Sequence, residues 1–374
     1  MTTIGEVLAF LDRRYPARSA ESWDRVGLVT GDVAGPANHL LLSVDVTDAV
    51  IDQAATLGTD LIIAHHPLLL RGINSVDPRR PKGRMITRLI RSGIGLITAH
   101  TNADIPVGGV ADSLAAALGL TDTRPLRRVP VYPADKLVTY VPVEQTDAVI
   151  DALSDAGAGE VGAYRRAAFT VTGTGTFTPG PEARPAIGQP GRREQVAETM
   201  IEMIMDRRLR GRVIDALLRT HPYEVPAYFV TETAGPADIG PTAGLGRIGR
   251  VAATRLADFA ERVAAALPGT AAGIRVAGDP DRMINTVALQ GGAGDDLLDT
   301  AREAGADVYL TSDLRHHPAS EPIAWPDAPA LIDVPHWAAE WTWLPRLRRQ
   351  LVDELDGIAV NVSEINTDPW NFRI

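Results

Sequence analysis

Asp60-Leu61-Ile62-Ile63-Ala64-His65-His66-Pro67 is the stretch from which the fold can be read. Four apolar residues follow a Gly58-Thr59-Asp60 turn and end abruptly in two histidines and a proline. A half-exposed strand would alternate polar and apolar, so an unbroken apolar run of this length reads as a buried parallel strand. Within a regular strand His65 and His66 would point to opposite faces. Pro67 lacks an amide donor and holds His66 extended, so the strand is expected to stop there, leaving both rings able to turn toward one place. Ligands of open α/β sheets gather outside the carboxyl ends of strands. Neutral imidazole is a frequent metal ligand. The pair therefore either supplies half of a metal site or divides its roles, one ring packing and the other facing water.

The neighbouring segments extend the pattern. Residues 40–46 read as a strand carrying Asp45 near its end, and Thr47 as the cap of a helix over 48–57. Asp45 is a candidate ligand, or an acceptor for the second nitrogen of one. Thr3-Ile4-Gly5-Glu6 has capping-box spacing ahead of an apolar-periodic helix that ends near Tyr15-Pro16. Residues 21–28 read as a polar loop pinned by Trp23. On the other side, a helix over 83–91 leads into a buried strand over 94–99, which ends in His100-Thr101-Asn102-Ala103-Asp104. Asp104 either joins a site at this sheet edge or simply precedes the Ile105-Pro106 turn. Gly108-Gly109 then opens a helix running to Leu118.

The organisation changes at residues 123–133. A strand over 136–143, a helix over 146–156, a strand over 168–177, a proline- and glycine-rich loop over 179–193, a helix over 213–218 and a turn and strand over 221–230 suggest a small α+β domain of about 120 residues. His221, alone among aromatics and prolines, reads as structural. From Leu245 the α/β alternation resumes: a strand over 246–251, a helix over 257–267, a strand over 284–289 and a helix over 293–304 after Gly291-Gly292. A strand over 307–310 is followed by Thr311-Ser312-Asp313-Leu314-Arg315-His316-His317. The strand over 330–332 is followed by Asp333-Val334-Pro335-His336-Trp337-Ala338-Ala339-Glu340. His336 and Glu340, four apart at a helix start, share one face.

Six of the eight histidines (65, 66, 100, 316, 317 and 336) fall just after expected strands. His65, His66, Asp104, His336 and Glu340 make a nitrogen-and-carboxylate set suited to Zn, Fe or Mn. Three histidines and two carboxylates suffice for two divalent ions if one carboxylate bridges them.

Bulk properties limit the alternatives. At 374 residues there is room for two or three domains. Hydrophobic and charged fractions of 45% and 22% are ordinary for a soluble globular chain. A net charge of −10 argues against general nucleic-acid binding, which needs clustered Lys and Arg, but leaves room for one small or nucleotide ligand. With no cysteine there is no disulfide, iron–sulfur cluster or thiolate zinc site. No apolar run approaches the roughly 18 residues of a membrane span, and no signal-peptide apolar region opens the sequence, so a cytoplasmic location is expected.

The chain resembles the NGG-interacting-factor-three family, the GTP cyclohydrolase I type 2 homologues. The matching stretches are Ser22-Trp23-Asp24-Arg25-Val26-Gly27-Leu28, Ile62-Ile63-Ala64-His65-His66-Pro67, Ala99-His100-Thr101-Asn102-Ala103-Asp104, Thr311-Ser312-Asp313-Leu314 and His336-Trp337-Ala338-Ala339-Glu340. The resemblance implies that His65, His66, Asp104, His336 and Glu340 bind two metal ions, with His100, Asp45, Asp313 and His317 nearby for proton transfer or support. It implies two facing α/β lobes, residues 1–124 and 244–374, interrupted at 125–243 by a domain like the PII and CutA proteins, and assembly as a homohexamer. Gly157-Ala158-Gly159-Glu160-Val161-Gly162, Gly173-Thr174-Gly175-Thr176-Phe177 and His221-Pro222-Tyr223-Glu224 carry the likeness of the insert. Ser312, Pro318, Pro335 and Val225-Pro226 depart from the family pattern without removing an implied ligand. The implied activity is metal-dependent hydrolysis of a nucleotide or related substrate. The competing expectations are a non-enzymatic metal-binding regulator or scaffold whose insert takes an effector, or a metal storage or delivery protein.

Overall fold

The computed structural model describes residues 1–129, 134–161, 164–233 and 243–374. The chain divides into two compact units, one made of Met1–Val129 with Gly240–Ile374 and the other of Pro130–Ile239. Gly162, quoted above in the likeness of the insert, lies outside the described residues.

The first unit begins with helix α1 (Ile4–Arg14), started by the Thr3–Glu6 capping box and burying Ile4, Val7, Phe10 and Leu11. Strands β1 (Gly27–Thr30) and β2 (His39–Ser43) follow, then helix α2 (Asp48–Thr56), whose first turn is capped by the Thr47 hydroxyl accepting from the Val50 amide. Next come β3 (Leu61–Ala64), α3 (Pro81–Arg91), β4 (Gly95–Thr98), the single turn α4 (Thr101–Asp104), α5 (Val110–Ala117) and β5 (Thr121–Arg128).

The second unit contains β6 (Ala134–Pro142), α6 (Thr146–Asp155), β7 (Ala168–Phe177), β8 (Glu194–Asp206), α7 (Arg210–Thr220) and β9 (Tyr228–Glu232). Its antiparallel sheet has the order β7-β8-β6-β9. Leu137, Val141, Ile201 and Met203 pack with Val149, Leu153, Val213 and Leu217 of the two helices.

Returning to the first unit, the chain forms β10 (Gly244–Arg255), α8 (Leu256–Ala266), β11 (Arg275–Ala277), β12 (Met283–Ala293), α9 (Leu298–Glu303), β13 (Val308–Ser312), α10 (His316–Ser320), β14 (Ala330–Asp333), α11 (His336–Trp341), α12 (Leu344–Glu354) and β15 (Ala359–Val362). The resulting class is mixed α/β. One sheet has the order β1-β4-β3-β2-β15, with β15, β2, β3 and β4 parallel and β1 antiparallel. The other has the order β11-β14-β13-β12-β10-β5, with a parallel centre of β12, β13 and β14.

The apolar run that opened the sequence reading is buried on both faces, as a central parallel strand must be. Leu61 and Ile63 enter a core shared with Val287, Leu289, Leu310 and Trp343, whereas Ile62 and Ala64 pack with Val50, Ile51, Ile86 and Leu89. Each such fully buried aliphatic side chain is worth roughly 1.5–3 kcal/mol of transfer free energy.

Several elements differ from expectation. Residues 27–30, at the end of the expected polar loop, form β1, and β5, which pairs with β10, overlaps the stretch from residue 123 that was read as a change of organisation. Strand β8 is long and alternates burial along its length; its Glu, Gln, Met and Thr content hid it. Gly291-Gly292 was expected to precede a helix, yet both lie inside β12, and the helix starts only at Leu298. The register of β12 against β13 shifts between Leu289 and Ala293, and Gly292 takes φ +75° there, a value glycine tolerates. No helix among the described residues is long and apolar enough to cross a membrane.

Candidate metal centre

The site lies within the first unit, where the ends of β3 and β4 meet the start of α11. His65 continues the inward face of β3. Its ring is fully buried, its Nδ1 lies 2.8 Å from the Ala99 carbonyl, and its edge meets the Trp343 indole with centroids 5.5 Å apart. A carbonyl only accepts, so Nδ1 carries the proton and Nε2 keeps a lone pair. Burial holds the His65 pKa below its usual value, against the pull of Glu340.

His66 leaves the strand and turns toward the same place, its ring 5.2 Å from that of His65. Its Nδ1 lies 2.8 Å from Asp45 Oδ1, and its Nε2 lies 2.9 Å from Glu340 Oε2. His336 repeats the arrangement from α11: Nδ1 is 2.7 Å from Asp313 Oδ2 and Nε2 is 2.8 Å from Glu340 Oε1. Burial alone would depress both histidines. Glu340 with Asp45 pushes His66 up to about 10, and Glu340 with Asp313 pushes His336 up to about 11. Asp313 holds its position with a left-handed backbone, φ +61°, uncommon for a residue with a Cβ.

Glu340 is therefore the hub. Its carboxylate is 3% exposed and has imidazole nitrogens from His65, His66 and His336 within 3.3 Å. Burial opposes its charge, but the three imidazoles hold its pKa well below the ordinary range. Beneath it β12 passes so closely that a Cβ on Gly292 would lie 2.5 Å from Glu340 Oε1 and 3.2 Å from His336 Nε2. That contact is why the strand carries glycine here.

His100 stands 5.2 Å from the His65 ring and 5.5 Å from the His66 ring. It is oriented by a residue that escaped the sequence reading. Asp24 is buried and its Oδ1 lies 2.8 Å from His100 Nδ1, while its Oδ2 accepts from the Thr101 amide and hydroxyl at 3.0 and 2.5 Å. The exposed Trp23, expected to pin its loop, instead stands edge-on to His100 at 5.9 Å. Only the motif around Trp23 hinted at the role of Asp24.

Two groups of side chains have ligand atoms close enough to share an ion, within 4.8 Å of one another: His65 with His66 and His100, and His66 with His336 and Glu340. Asp104 belongs to neither group. It is fully buried on α4, its Oδ1 has no hydrogen-bond partner, and burial followed by the nearby Glu340 raises its pKa well above the usual value. His317 is not brought to the cluster. It is exposed on α10, where its recorded neighbours are His316 and, at 3.7 Å, Glu321. Helix α10 turns it away from the end of β13.

The fit of this set to a cation can be judged from its unsatisfied atoms. His65 Nε2 is buried without a hydrogen-bond partner, as is Asp104 Oδ1. The lone pair of His65 Nε2 faces Glu340 Oε1 at 3.3 Å, so two acceptors confront one another in a dry place. Buried acceptors left this way cost free energy unless a proton or a cation serves them. Nitrogen and carboxylate donors of this kind fit a borderline transition metal. Beside the cluster opens a cavity of about 490 Å³ that His66 and His336 help to line. A separate cavity of about 730 Å³ lies in the second unit, lined by residues such as Tyr140, Phe177, Met200 and Tyr223.

The sequence matches the family model described as Duf34/NIF3 (NGG1p interacting factor 3) over residues 2–369. It is 46% identical over 372 residues to the "GTP cyclohydrolase 1 type 2 homolog" of Mycobacterium tuberculosis, covering 99% of this chain and 97% of that protein. The Bacillus subtilis protein of the same name is 35% identical over 373 residues, with 98% of each chain covered. Among solved structures, Staphylococcus aureus protein SA1388 superposes with a TM-score of 0.76 at 28% identity, covering 100% of this chain and 99% of that one. The Bacillus cereus protein related to NIF3 gives 0.69 at 34% identity with the same coverage.

Proposed function

This chain belongs to the Duf34/NIF3 family, and from that premise we propose that its histidine–carboxylate cluster is a dinuclear metal centre of a hydrolase. The observation that carries the reading is Glu340, a buried carboxylate with three imidazole nitrogens within 3.3 Å, one of which, His65 Nε2, has no hydrogen-bond partner. His65, His66, Asp104, His336 and Glu340 would hold two divalent ions, with His100 beside them. When bound, such ions supply Lewis acidity toward a substrate's electrophilic atom and acidify water.

The remaining work falls to the chain. The Ala99 carbonyl holds the His65 tautomer, and Asp45, Asp313 and Asp24 hold the Nδ1 sides of His66, His336 and His100. Each orienting acceptor leaves Nε2 for the site, the usual way a ligating imidazole is aimed. Asp313, which lines the adjoining cavity, and His100, beside the cluster, would pass protons to and from the substrate. The name shared by the relatives suggests hydrolytic opening of a purine's imidazole ring with loss of formate. Protein purified without added metal should contain two equivalents of metal per chain and hydrolyse GTP or a phosphoester. Both properties should be lost in Glu340→Gln.

A second reading has its own support, the cavity of about 730 Å³ in the second unit. There the cluster would be structural or regulatory, and the unit, a PII/CutA-like domain, would bind a small effector. Fully metallated protein without turnover, but with a ligand bound in that unit, would favour it. In either case we propose a homohexamer in the cytoplasm, checked by light scattering of the purified chain.

A further inference from the structure

The cavity beside the metal centre is walled on one side by the segment that follows β15. Hydrogen bonds hold that segment in place. Asn366 Oδ1 accepts from the Asp368 amide and Asp368 Oδ1 from the Trp370 amide, both at 2.9 Å, so two Asx turns follow one another. Asn366 Nδ2 donates to the Gly269 carbonyl at 3.2 Å. Between them the Thr367 hydroxyl donates to Asp45 Oδ2 at 2.5 Å, and the other oxygen of Asp45 meets His66 Nδ1. The segment is thus tied to a candidate ligand through a single carboxylate.

Trp370 lines the cavity and is 69% exposed. So open an indole adds little apolar burial to the fold, and its face remains available for stacking. The charges around it are one-sided. Asp45, Asp313, Asp333 and Asp368 line the cavity with a single arginine, Arg275, which is already paired with Asp333 and donates to the Leu314 carbonyl. Asp313 gives one oxygen to His336 and Asp368 one to the Trp370 amide. Their other oxygens have no recorded partner among the described residues.

We propose that this cavity takes a planar heteroaromatic ring bearing N–H donors, of the purine-base type, stacked on Trp370 and hydrogen-bonded by Asp313 and Asp368. The proposal rests on reading the neighbouring cluster as a hydrolytic metal centre, whose ligands His66 and His336 line the same cavity. Thr367 is a positioning residue that acts through Asp45.

The test is calorimetric titration of the full chain with its metals, using guanosine as a ring that carries no phosphate. Guanosine should bind. Trp370→Ala should weaken it roughly 5- to 160-fold, the range for loss of one base-stacking aromatic. Trp370→Phe should retain most of the affinity, and metal content should be unchanged in both variants. Unaltered guanosine affinity in Trp370→Ala overturns the proposal, as does failure of the fully metallated wild type to bind guanosine. The two readings fail separately. Absent guanosine binding alongside Glu340-dependent turnover of another substrate overturns the ring site alone. Trp370-dependent guanosine binding without any turnover supports the ring site and removes the hydrolase.

Discussion

His336 Nε2 and Glu340 Oε1, one helical turn apart on α11, lie 2.8 Å from each other. The other oxygen of that carboxylate lies 2.9 Å from His66 Nε2, so one glutamate joins a histidine from the first half of the chain to one from the second. Replacing Glu340 by Gln keeps the shape and removes the charge. Metal bound per chain, measured by elemental analysis after dialysis, should fall from two equivalents to one or fewer. An unchanged metal content would refute the role given to Glu340.

The orienting carboxylates should matter less than the ligands but measurably. Asp45→Asn leaves His66 without its charged acceptor, and loss of such a partner typically lowers metal affinity 10- to 100-fold. Thr367→Val, one bond further away, should produce a smaller change in the same direction. Competition with a chelator of known affinity ranks the two.

Gly292 admits no side chain. Gly292→Ala would place a Cβ 2.5 Å from Glu340 Oε1 at a backbone φ of +75°, so both the carboxylate and the strand must shift. We expect reduced metal occupancy together with a lowered thermal midpoint. His317→Ala serves as the contrast, because its exposed ring touches none of the cluster, and it should leave metal content unchanged.

In the second unit Asp135 is fully buried and pairs with Arg207 Nε at 2.9 Å and Arg210 Nε at 2.7 Å. Burial works against its charge, but Arg210 and Arg207 together hold its pKa below the ordinary carboxylate value. A folded-state pKa below the unfolded one near 3.9 stabilises the fold above that pH, and the contribution is lost as pH falls through the folded value. Wild-type protein should therefore lose this part of its stability below about pH 4. Asp135→Asn should be destabilised by about 3 kcal/mol at pH 7, the lower end for breaking a buried pair, since the two arginines stay partly solvated. Denaturant unfolding at pH 7 and pH 3 tests both statements, and equal differences between wild type and variant at the two pH values would contradict them.

Much of the candidate cluster is legible in the sequence. Apolar runs with no alternation, such as 61–64 and 330–332, mark central parallel strands, and the polar residues just after them mark a ligand-binding edge. The i,i+4 spacing of His336 and Glu340 marks a shared helix face. These signals are local, carried by neighbours along the chain. What they omit is long-range. Asp24 reaches His100 across 76 positions, and no pattern around it distinguishes it from a turn aspartate. Strand β8 hides because its half-buried face uses methionine and threonine, and Gly292 reads as a turn because only its contact with Glu340 explains it.

The sequence by itself determined most element types, the α/β class of the first unit and several of the residues that come together, His65, His66, His336 and Glu340, since strand burial and helix spacing depend on adjacent residues. Tertiary structure alone decided which of them converge. It made Glu340 the hub, drew in His100 and Asp24, left Asp104 buried beside the groups and sent His317 to the surface. The reason is that convergence depends on strand order, register and the direction each strand end turns, quantities set by packing between segments far apart in the chain.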